Sequence, residues 1–159
     1  MMDQVIISMI ATLSFVILFN APRKEYIYCV MTGCIGWMSY LLFCYMGASV
    51  VMASLWATLI LTLLARILSA IRKTPVTIFL MTGIFTLVPG AGIYYTSYYL
   101  IINDLTQFMA KGLETFKISG AMVLGMVFGF ALPQIWFNRL GKIAEENSKD
   151  FKSRKLNSK

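Results

Sequence analysis

The feature that most constrains this chain is the apolar run from Thr74 to Tyr94, long enough to cross a bilayer and carrying Pro89-Gly90 inside it. Proline lacks a backbone N–H, and its ring collides with the carbonyl four residues earlier, here that of Phe85. Gly90 and Gly92 make irregular dihedrals cheap. A helix of this composition is expected to break, and in hydrocarbon the freed groups are tolerated only where protein or a wet cavity meets them.

The rest of the composition points to the same solvent. Apolar residues make up 58% of the chain and charged residues 13%, far below the usual quarter of charges in a soluble domain. The expected fold class is therefore an all-α integral membrane protein. At 159 residues it has room for about five spans and no large catalytic domain. The first apolar run follows Met1-Met2-Asp3-Gln4 without a basic n-region and is read as a retained span. With no histidine and few acids, a metal site has almost no raw material, and no cofactor is expected.

Five spans are expected at about residues 4–20, 27–46, 49–71, 76–101 and 117–138, the fourth interrupted at Pro89-Gly90. Residues 103–116 read as an interfacial helix, with Leu105, Phe108, Met109 and Leu113 on one face. Together residues 1–141 form a membrane domain, and 142–159 a basic cytoplasmic tail among anionic lipid headgroups rather than a nucleic-acid-binding arm. An outside N-terminus and an inside C-terminus put 12 of the 14 lysines and arginines inside, leaving Lys111 and Lys117 outside.

The candidate site follows from the break. Pro89 is expected roughly 20 Å along its span, past the midplane. The N–H groups around Ala91 to Tyr94 form the positive end of one half-helix and suit a carboxylate. The carbonyls of Phe85 to Leu87 form the negative end of the other. Thr82 and Thr86 lie four apart on the face leading there. Substrate contacts are therefore expected from Thr82, Thr86, Pro89, Gly90, Gly92 and Tyr94, and replacing Pro89 or Gly90 by alanine is expected to impair transport. A zwitterion can use both half-helix ends, whereas a dicarboxylate needs a cation from elsewhere. Arg66 is close enough to the inner face to snorkel, with an anion gate as the alternative. Gly125 and Gly129 form a small-xxx-small face for helix packing, in the chain or against a partner. Pro133 reads as a kink. An enzyme would need paired acids or a nucleophile with a base inside the spans, and none is found.

The order Lys73-Thr74-Pro75, an apolar run, then Leu87-Val88-Pro89-Gly90-Ala91-Gly92-Ile93-Tyr94 resembles the small subunit of the split threonine/serine exporter family. Phe19-Asn20-Ala21-Pro22-Arg23 and Gly33-Cys34-Ile35-Gly36-Trp37 extend the resemblance over roughly residues 10–140. It implies a two-component exporter of the cell membrane. The larger membrane subunit would be an obligate partner, and the substrate a small amino acid or, in a split relative, succinate. A non-transporting scaffold for a larger partner is the remaining alternative.

Overall fold

In this computed structural model, which describes residues 2–132, the chain folds into helices. The expected Pro133 kink, the last turns of the fifth span and the tail 142–159 lie outside the described residues. In order they are α1 (Met2–Leu18), a 3-10 turn (Arg23–Glu25), α2 (Tyr26–Tyr45), α3 (Val50–Arg72), α4 (Val76–Leu87), α5 (Gly90–Ile101) and α6 (Leu105–Ala131). α2 with its preceding turn, α3 and α6 are each long and apolar enough to cross a membrane. The bent pair α4–α5 can supply a fourth span, and α1 is a shorter apolar helix.

Local chemistry sets the helix ends. Asn20 takes a positive φ just before Pro22, and Gly47 turns the chain between α2 and α3 at φ 85°. Ser49 caps α3 by accepting from the Met52 N–H at 3.3 Å. α3 closes on left-handed Lys73, whose N–H returns to the Ser69 carbonyl. Asn103, at φ 62°, and Asp104, which accepts from the Gln107 N–H at 3.1 Å, start α6.

That start corrects one expectation. Residues 105–116 are not a separate interfacial helix but the first turns of α6, which runs unbroken for 27 residues. No proline interrupts it, and Lys111 and Glu114 bridge one turn of it at 3.0 Å. At 1.5 Å per residue α6 is about 40 Å long, more than a hydrocarbon core of about 30 Å needs.

α3 is the central helix, and two neighbouring stripes along it organise the bundle. Ala53, Ala57, Leu61 and Ala65 recur every four residues and are fully buried. Leu61 fills a hole made by two glycines: a methyl added to Gly36 of α2 or Gly83 of α4 would lie 2.6 or 2.9 Å from its Cδ1. The second stripe, Ser54, Thr58, Thr62 and Arg66, is also buried and faces α6. Its hydroxyls donate to carbonyls four residues back, at 2.7–2.8 Å, so they pack as small satisfied groups.

At the opposite end of α3 from Ser49, Arg72 donates from Nε and Nη2 to both oxygens of buried Glu25, each at 3.0 Å. Its guanidinium also lies 4.4 Å from the Tyr28 ring centroid. This fork ties the first loop to α3. Between α1 and α4, the Thr12 and Thr86 hydroxyls pair at 3.0 Å.

Candidate solute site at the broken helix

The break forms as proline chemistry requires. Val88, held extended by the following ring, has φ −54° and ψ 131°. Pro89, at φ −73° and ψ 63°, is the centre of an inverse γ-turn closed by the Gly90 N–H on the Val88 carbonyl at 2.7 Å. α4 and α5 meet there at 51°.

Several backbone groups are left over. The Ile93 N–H returns to the Pro89 carbonyl at 3.1 Å, and no side chain caps α5. Among the described residues nothing accepts from the N–H of Ala91 or Gly92, and nothing donates to the carbonyls of Phe85, Thr86 or Leu87. The open donors are thus fewer than the sequence suggests, because Ile93 is already bonded within the turn.

Most of these open groups border one cavity of about 610 Å³. Thr86, Leu87, Pro89, Gly90, Ala91 and Gly92 line it from the break, with Trp37 from α2 and Ser54 from α3. α6 contributes Lys111, Glu114 and Thr115. The α6 residues were placed by the sequence on an outer surface helix, yet they reach the break. The signal was present in the short link 102–104, which forces α5 and α6 into an antiparallel hairpin. Gly92 then faces Thr115 and Gly112 faces Thr96, whose Cγ2 would lie 3.3 Å from an added methyl.

Not every expected substrate residue is here. Thr82 is buried and donates to the Ile78 and Phe79 carbonyls at 2.9 and 3.2 Å, bordering a separate cavity beside Asn20 and Pro22. Tyr94 points away: it is 64% exposed and stacks with Tyr98. Tyr95, one residue on, lines the cavity instead. Gly92 borders the cavity but also lets Thr115 approach, so its missing side chain serves the α5–α6 contact. At Gly90 an added methyl would meet nothing within 4 Å.

The threonine/serine exporter (ThrE) family matches residues 4–131. The chain belongs to that family. Its role is accordingly transport, and its apolar helices are long enough to cross a membrane. No solved structure matches this exporter chain.

The three residues expected at a gate or interface occupy the α3–α6 seam of the exporter. Gly125 and Gly129 receive Thr58 and Thr62; a methyl on Gly129 would lie 2.7 Å from Thr62 Cβ. Arg66 does not snorkel. It is 6% exposed, and its Nη1 donates to the Gly129 carbonyl at 2.6 Å and to that of Phe130 at 3.2 Å. Its guanidinium also lies 5.8 Å from the Phe130 ring centroid. The reason lies in the helix end: α6 stops at Ala131 with Leu132 extended, so its last carbonyls have no helical N–H and the guanidinium takes that place at Gly129.

Proposed function

We propose that this chain is the small membrane subunit of a two-component secondary exporter for threonine- or serine-like amino acids. It acts in the cell membrane beside a larger subunit of the same family, with its N-terminus outside. The observation that carries the reading is the set of open backbone groups of both signs around one cavity. Ala91 and Gly92 offer N–H donors at the positive end of α5, and Thr86 and Leu87 offer carbonyls at the negative end of α4.

An α-amino acid carries complementary charges on a single carbon. Its carboxylate suits the α5 end and its ammonium the α4 end, an arrangement recurrent in transporters with discontinuous helices. The need for a partner is supported by α5, which among the described helices leans on α6 alone and buries none of its residues. A solute path needs a second wall there, which the described residues do not supply. The basic residues gathered at one side of the spans support the orientation.

The test is efflux. Cells loaded with labelled threonine, serine or succinate would express the chain alone or with its larger partner. Faster efflux of threonine or serine is expected only in the paired cells, and unchanged efflux of all three there removes the proposal. Pro89→Ala restores an N–H to the Phe85 carbonyl and is expected to lower efflux at least about tenfold, the equivalent of one charge-assisted hydrogen bond. Membrane insertion should be unaffected.

A further inference from the structure

We infer that the Lys111–Glu114 pair on α6 sets the charge selectivity of this cavity, admitting a zwitterion and rejecting a dicarboxylate. The inference rests on the exporter reading above and deepens it.

Lys111 Nζ and Glu114 Oε2 lie 3.0 Å apart, and theirs are the only charged side chains among the described residues lining the cavity. Their side chains are 43% and 51% exposed. A pair so exposed is weakened by solvent screening, so an incoming solute can take it apart easily. Burial would have made the same two residues a fixed strut.

The chemistry of the exchange distinguishes solutes. An α-amino acid can insert into the pair, its carboxylate taking Lys111 and its ammonium taking Glu114, so that each side chain trades one partner for another of the same sign. A dicarboxylate also draws Lys111 away, but it leaves Glu114 facing a second anion with its own cation removed. Like charges at such separations repel, and the repulsion grows as a closing partner excludes water. Trp37 adds a neutral donor: its Nε1 is buried without an acceptor, and the residue lines the same cavity.

The experiment compares initial efflux of labelled threonine and labelled succinate from cells expressing the full chain with its larger partner, normalised to membrane abundance. Glu114→Gln is expected to slow threonine and speed succinate, moving their ratio roughly tenfold. Glu114→Asp should keep the wild-type preference. The double variant Lys111→Glu/Glu114→Lys retains an ion pair, and with it any purely structural role, but inverts polarity relative to α5; it is expected to lose threonine efflux. An unchanged ratio in Glu114→Gln, or wild-type rates in the double variant, overturns the inference and leaves the exporter reading standing. Wild-type cells that export neither solute overturn both.

Discussion

Two helices in this chain, α4 and α6, end by leaving carbonyls without a helical N–H, and the molecule treats the two ends in opposite ways. At the end of α6, the Gly129 carbonyl receives Arg66 at 2.6 Å, in a seam where glycines and back-bonded threonines interlock. At the end of α4, the Phe85 carbonyl opposite Pro89 receives nothing, and its neighbours at Thr86 and Leu87 border a cavity. The difference teaches that an interrupted helix becomes a candidate site only where no neighbour repairs it.

The comparison is most severely tested at Arg66. Arg66→Met keeps the volume but leaves the Gly129 carbonyl unpaired in the seam, and roughly 3 kcal/mol of stability is expected to disappear. Thermal unfolding in detergent would show it, and an unshifted midpoint would mean that the guanidinium is not the repair described. Gly129→Leu is next: a side chain driven into Thr62 should cost about 1–3 kcal/mol. Retained stability in that variant would show that the seam yields more readily than its contacts indicate.

At the open break the expected effects on stability are smaller and those on transport larger. Pro89→Ala should leave stability unchanged or slightly raised while efflux falls; a substantial loss of stability would assign the break a structural role. Thr12→Val removes the hydroxyl pair with Thr86 and should cost about 1 kcal/mol, readable as a small shift of the unfolding midpoint. The mildest change is Gly90→Ala, expected to alter stability by no more than about 0.5 kcal/mol, since open space surrounds the site. An equally small effect on efflux would confirm that Pro89 alone carries the break, contrary to the expectation drawn from sequence for the pair.

Much of the architecture was legible because it is local. Apolar runs of spanning length and the Pro-Gly interruption act through a few neighbouring dihedrals and peptide groups. The continuity of α6 was harder to read: its first turns are polar enough to resemble a surface helix, and nothing within them signals that they continue into a span. Thr82 and Thr86 share one face of α4 in sequence, yet they border different cavities because α1 meets the helix at Thr86 through Thr12. Thr115 and the Lys111–Glu114 pair reached the site through the hairpin turn, a relation between helices that no periodicity within either one records.

By itself the sequence determined where the backbone must be interrupted, because a missing N–H at Pro89 is a covalent fact that no packing can change. It also determined the solvent, because a chain this apolar has no other way to satisfy its surface. Only the tertiary structure decided which interruption is sealed and which stays open. The group that seals α6 comes from Arg66, 63 residues away along the chain from Gly129, and whether such a group arrives depends on helix packing rather than on the helix end it serves.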